Sequence, residues 1–184
     1  MDRNQALVIL NDNVKNVNLI KHALAVESVM ESLAEHFGED RKKWALTGLL
    51  HDIDYEKTKD NPQEHSALGA QMLENLDVDK EICRAILVHN EIHGIMPESL
   101  LEKSLYAVDP LTGLIIAAVL VLPSKKIADL TVDNVLNRFR EKSFARNVSR
   151  EIINKAPDYL KLSLADFIGI GLHAMQKISN DLGL

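Results

Sequence analysis

The sequence predicts an all-α protein, and three observations carry that prediction. Apolar residues recur at helical spacing over most of the 184 residues. No stretch shows sustained period-two alternation of β-branched residues, as a half-buried strand would. Residues suited to helix caps (Asn61, Asp79, Thr131, Ser149 and Ser163) stand at the heads of periodic segments.

Taken in order, Asn4–Leu10 and Val14–Phe37 read as helices, the second with Leu19, Ala23, Val26, Met30, Leu33 and Phe37 in one stripe. His22 lies in line with Val26, Val29 and Leu33, so its imidazole faces the interior, and Gly38 ends the helix. A helix over Arg41–Leu50 delivers His51-Asp52 at its end, and the charged stretch Asp54–Asn61 reads as a loop. Asn61-Pro62-Gln63-Glu64 has the form of a helix start, with Asn as cap, Pro next and Glu64 as a capping residue. It places His65 in the first turn of a helix running to about Asn75. Asp79-Lys80-Glu81 opens the next helix, with Ile82, Ala85, Ile86 and His89 on its inner face. Asn90–Pro97 reads as a loop and Glu98–Val108 as a helix. Asp109 precedes Pro110, where helical geometry is disfavoured, so a kink or break is expected before a buried helix from Leu111 to Leu122. Thr131, Ser149 and Ser163 cap three later helices, the last running from Leu164 to about Leu182.

Length and composition fit one soluble domain over 1–184, with 46% hydrophobic and 26% charged residues. A formal net charge of −6 argues against a nucleic-acid polymer as partner. Basic residues nevertheless outnumber acids between Ser124 and Lys161, which is compatible with a small anionic substrate as well as with a solvated helix surface. Cys83 is the only cysteine, so neither a disulfide framework nor a thiolate zinc site is expected. With a polar N-terminus and no leader pattern, the expected location is cytoplasmic. The run Leu111–Leu122 is too short to span a bilayer, and no membrane partner is expected.

The chemistry concentrates where the apolar run Trp44–Leu50 ends in His51-Asp52. Imidazole and carboxylate at the end of a buried helix are costly to desolvate without compensation. A His and the Asp after it reach one ion only where the chain leaves helical geometry, as it does here. His22, His51, Asp52 and Asp109 make a mixed nitrogen and oxygen donor set suited to iron, manganese, cobalt, nickel or zinc rather than calcium. His65 and His89 are candidates for a second ion, with Asp52 bridging. His51 and Asp52 are the catalytic candidates, through a metal-activated water. Lys125, Lys126, Lys142 and Arg146 are candidates for substrate phosphate contacts. His36 and His173 lie among ordinary helical residues, and His93, in a loop near His89, is a ligand or substrate-contact candidate for which a plain surface histidine is the favoured reading.

The order His22 … His51-Asp52 … Asp109, all in helical contexts, resembles the HD-domain metal-dependent phosphohydrolase superfamily, its HDIG-type branch most closely. The segments that carry the resemblance are Lys21–Glu27, Trp44–Asp52, Glu64–Ala70, Ile86–Asn90 and Leu101–Asp109. The resemblance implies an HD-type helical bundle with a metal-binding core at about 18–122 and a C-terminal helical extension at 123–184. It implies one or two divalent transition ions, with His65 and His89 matching the added histidines of two-metal members. It also implies hydrolysis of a small phosphate ester or anhydride, a nucleotide being the nearest class. Asp54 stands where the HDIG pattern has glycine, and the Gly-Tyr-Pro element of cyclic-dinucleotide phosphodiesterases is absent. Two other readings stay open: a non-catalytic HD module that senses a nucleotide or metal, and a structural helical protein whose histidines are core residues.

Overall fold

The computed structural model describes residues 1–184, and all of its regular structure is helical. Helices α1 (Arg3–Asn13), α2 (Val17–Phe37), α3 (Arg41–Leu50), α4 (Tyr55–Thr58), α5 (Ala67–Glu74) and α6 (Lys80–His89) are followed by α7 (Leu100–Leu120). The C-terminal part contains α8 (Val132–Arg140), α9 (Arg150–Ile153), α10 (Ala156–Leu160), α11 (Leu164–Lys177) and α12 (Ser179–Leu182). One cluster of buried apolar side chains runs from Ala6 to Leu182.

Local capping explains most boundaries. Asn16 caps α2, and Gly38 ends it in the left-handed conformation at φ 73°, which a residue without Cβ adopts freely. Thr131, Ser149 and Ser163 each accept the expected amide at the head of α8, α9 and α11. The final segment divides: α11 stops at Lys177 and α12 covers Ser179–Leu182. The loops expected at Asp54–Asn61 and Asn90–Pro97 contain α4 and a 3₁₀ turn at Glu91–His93.

Helix α2 packs against α3, α7 and α11, and α6 joins the assembly through α3, α5 and α7. The α2–α3 crossing is unusually close, and Gly48 is its cause. A Cβ there would stand 2.8 Å from the main chain of Val26 and Glu27. The expected break at Pro110 does not occur, since α7 is continuous from Leu100 to Leu120. Proline costs this helix a hydrogen bond to the preceding turn, but buried Leu105, Val108, Leu111, Leu114 and Ile115 hold both halves in the core. That continuity also makes α7 long and apolar enough to cross a membrane by length and composition, with 61% of the relevant window buried in the protein.

Candidate metal centre

Three helices and two turns bring the six predicted donors together. His22 is on α2, His89 is the last residue of α6, and Asp109 sits midway along α7. Helix α3 ends at Leu50, so His51 and Asp52 lie in the turn that follows, where successive side chains are free to converge. Because Gly48 lets α3 meet α2 backbone to backbone, His51 Nε2 comes within 3.2 Å of His22 Nε2.

The two oxygens of Asp52 divide the centre. Oδ2 faces His51 Nε2 at 3.4 Å and His22 Nε2 at 3.7 Å. Asp109 Oδ1 completes that side, 3.0 Å from His22 Nε2 and 3.8 Å from His51 Nε2. Asp52 Oδ1 faces the other way, 3.3 Å from His65 Nε2 and 3.5 Å from His89 Nε2. His22, His51 and Asp109 offer donor atoms within 4.8 Å of one another, and so do His51, Asp52 and His89.

Each imidazole is oriented through its second nitrogen. His51 Nδ1–H donates to the Gly48 carbonyl (2.8 Å) and His89 Nδ1–H to the Ile86 carbonyl (2.6 Å). His65 Nδ1–H donates to Asp54 Oδ1 at 3.1 Å. Thr112 Oγ1 lies 3.1 Å from His22 Nδ1 and gives its own proton to the Asp109 carbonyl, so it accepts from His22. All four rings therefore turn Nε2 toward the carboxylates, the arrangement that metal-ligating histidines require. The residues fit a cation for a further reason. Two Nε2 lone pairs 3.2 Å apart repel unless a proton or ion lies against them, and ions bond imidazole at about 2.0–2.1 Å.

Electrostatics agree with the geometry. Burial pushes the Asp52 carboxyl up, but the charge of His51 and hydrogen bonds from His65 and His89 outweigh it and hold Asp52 well below the usual carboxylate range. Asp109 is likewise held low: burial opposes, and His22 and His51 prevail. Burial works against a proton on His65, yet Asp52 and Asp54 push its pKa up to about 10. The carboxylates thus hold positive charge in this space, whether a proton or a metal supplies it.

His65 is placed differently from the other donors. The segment Asn61–Ser66 forms turns, and α5 begins only at Ala67, so the helix expected from the Asn61–Glu64 pattern does not form and Glu64 caps no helix there. Buried Asp54 overrides that pattern: its Oδ2 accepts the amides of Ser66 (2.8 Å) and Gly69 (3.0 Å). Ser66 pays for this with φ 69°, outside ordinary helical space. Gly69 makes room, since a Cβ there would lie 3.2 Å from the Asp54 carboxylate. Asn90 Nδ2 and His93 Nε2 donate to the His65 carbonyl at 3.1 and 2.8 Å. His93 is therefore half-buried and a support for His65, not a plain surface histidine.

Sequence reasoning misses Thr112 and Asn90, marks Asp54 only as a departure from the HDIG glycine, and gives His93 no supporting role. A signal existed for Asp54, a carboxylate two positions past His51-Asp52 in a buried turn. Lys125, Lys126, Lys142 and Arg146 are all exposed and share no hydrogen bond or ion pair with the six donors. Val148, in the same segment as Lys142 and Arg146, reaches Gly113, one turn past Asp109 on α7. A separate cleft of about 590 Å³, lined in part by Arg3, Glu27, Arg41 and Asp181, contains none of the six.

Fold and site together define an all-helical protein with a shared histidine–aspartate donor cluster. The chain belongs to the HD-domain family, whose model matches residues 19–119. Among curated proteins it is similar to Ribonuclease Y of Lawsonia intracellularis, 30% identical over 73% of this chain and 26% of that protein. Ribonuclease Y of Oleidesulfovibrio alaskensis is 32% identical over 52% of this chain and 18% of that protein. A tRNA (cytidine(56)-2'-O)-methyltransferase of Picrophilus torridus is 33% identical over 48% of this chain and 25% of that protein. The chain thus spans about a quarter or less of these relatives' lengths. No solved structure matches it.

Proposed function

We propose that this protein is a metal-dependent phosphohydrolase that opens a small phosphate ester or anhydride, a nucleotide being the favoured class. The observation that carries the reading is the division of Asp52 between two donor sets, His22–His51–Asp109 on Oδ2 and His65–His89 on Oδ1. When bound there, divalent transition ions supply Lewis acidity toward phosphoryl oxygens and an acidic water. His22, His51, Asp52 and Asp109 hold the first ion, and His65, His89 and Asp52 the second. His51 and Asp52 set the charge and orientation at the reacting phosphorus. The Asp109 side chain is 35% exposed and that of His22 20%, so the substrate enters on their side. Lys125, Lys126, Lys142 and Arg146 are the proposed phosphate contacts, and Val148, in the segment of Lys142 and Arg146, reaches Gly113 one turn past Asp109.

A second reading, cleavage of an RNA phosphodiester, is favoured by the likeness to proteins named Ribonuclease Y. The net charge of −6 weighs against it. Elemental analysis and a hydrolysis panel of mononucleotides, dinucleoside polyphosphates, simple phosphate esters and short RNA test both. The purified protein should carry close to stoichiometric transition metal, and His51→Ala combined with Asp52→Ala should abolish metal and hydrolysis together. A double variant that matches wild-type rates after metal reconstitution would end the reading. RNA cleavage with mononucleotides untouched would select the second reading, and ligand-induced thermal shifts without any turnover would select a sensor.

A further inference from the structure

We propose that Tyr55 is the platform on which the planar base of a nucleotide stacks while its phosphate lies at the metal centre. The inference rests on the phosphohydrolase reading and adds the residue that would recognise the base of a nucleotide substrate.

The chain has eight aromatic side chains of the Phe, Trp and Tyr types, four Phe, one Trp and three Tyr. Seven are buried or half-buried, and Tyr55 alone is exposed, at 40%. Leaving a large ring in water forgoes the stabilisation that burial brings, so a lone exposed ring is informative when it stands beside a reactive centre. Tyr55 does stand there. Its amide donates to the Asp52 carbonyl at 3.0 Å, three residues beyond the carboxylate that divides the donors. Its ring meets that of His65 at 5.2 Å between centroids, with the planes at 88°. His65 makes an edge-to-face contact with the ring, and 40% of Tyr55 is open to solvent.

The platform is also held in place. Asp54, the preceding residue, is fully buried and hydrogen-bonded on both oxygens. Glu56, the following residue, accepts the amides of Lys15 and Asn16 at 3.1 and 2.6 Å, which ties α4 to the start of the helix carrying His22. A Tyr side chain has few rotatable bonds, and on a backbone anchored at both neighbours it loses little entropy when a flat ligand stacks on it; stacking tolerates any base because every base has a π-face. The contrast is Tyr106, which is buried and whose hydroxyl meets Glu91 and Lys155.

The test uses the metal-loaded protein, with AMP and ribose 5-phosphate as a pair differing only in the base. Equilibrium titration and hydrolysis are followed for both, with bound metal measured in every variant. Tyr55→Ala should weaken AMP about tenfold. It should lower the AMP to ribose 5-phosphate preference by the same factor, through KM rather than kcat, while Tyr55→Trp recovers the loss. Equal losses for both ligands together with lost metal would make Tyr55 a buttress of His65 and overturn the proposal. Unaltered AMP affinity in Tyr55→Ala, or a wild type with no preference between the esters, would overturn it too and leave the hydrolytic reading standing. A wild type that binds AMP through Tyr55 and hydrolyses neither of these esters nor dinucleoside polyphosphates would uphold the platform and remove the hydrolytic reading.

Discussion

On the Oδ2 side of Asp52, His22 and Asp109 stand on two helices of 21 residues each, and His51 follows the end of a third. On the Oδ1 side, His89 ends a helix while His65 stands on a turn. The Oδ2 donors converge because buried helices pack, and Gly48 sets how closely. His65 is instead held by Asp54, Asn90 and His93 through named hydrogen bonds. Helix packing leaves the Oδ2 side with one buried side-chain hydroxyl, Thr112, to orient His22, whereas the turn carrying His65 draws on Asp54, Asn90 and His93. The Oδ1 side therefore depends on more polar side chains than the Oδ2 side.

The largest effect should come from Gly48→Ala, which breaks the close crossing itself. The added methyl meets the main chain of Val26 and Glu27, which cannot move like a side chain. A loss of about 3 kcal/mol is expected, or roughly 6–12 °C in Tm, with weaker metal binding on the Oδ2 side. Thermal unfolding and metal titration read both, and wild-type values would show that the crossing does not set the His22–His51 distance.

Asp54→Asn should act on the other side. The amide cannot accept from two backbone N–H groups and His65 at once without turning its NH₂ toward a donor. About 1.5–3 kcal/mol of stability should be lost, with affinity for one ion falling roughly 10–100-fold and the other retained. Equal weakening of both ions would erase the distinction between the two sides.

The pH dependence of the metal-free protein sharpens the comparison with a smaller effect. His65 is raised from 6.5 to about 10, so its contribution is full below 6.5 and lost as pH rises through about 10. Asp52 and Asp109 are depressed, so theirs is full above the ordinary 3.8 and lost as pH falls below it. In chelator, Tm should be highest between about 4 and 6.5 and decline toward alkaline pH, with the alkaline decline removed by metal. A chelated protein with unaltered Tm from pH 6.5 to 10 would contradict the assignment for His65.

What was legible in the sequence follows the same division. The six side chains that converge here are named from the sequence because their types and order resemble the HD pattern, and the caps at Thr131, Ser149 and Ser163 are readable because they depend on neighbours in sequence. The turn carrying His65 was not readable. Asn61-Pro62-Gln63-Glu64 has a local preference for starting a helix, and Asp54, distant in sequence, takes the amides that would set that start. Pro110 misled for a related reason, since local disfavour of helix yields to burial on both sides of it. The approach to the site is written in exposed residues, where periodicity carries no information, and Tyr55 became visible only once its exposure and its contact with His65 were known.

The most direct measurement is the number of transition-metal ions per chain in wild type and in His65→Ala, by elemental analysis with the bound ions located by anomalous scattering. Two ions in the wild type, one on each side of Asp52, and one remaining beside His22, His51 and Asp109 in the variant is the result expected. Equal metal content in both proteins, or ions bound away from Asp52, would contradict a centre divided between its two oxygens.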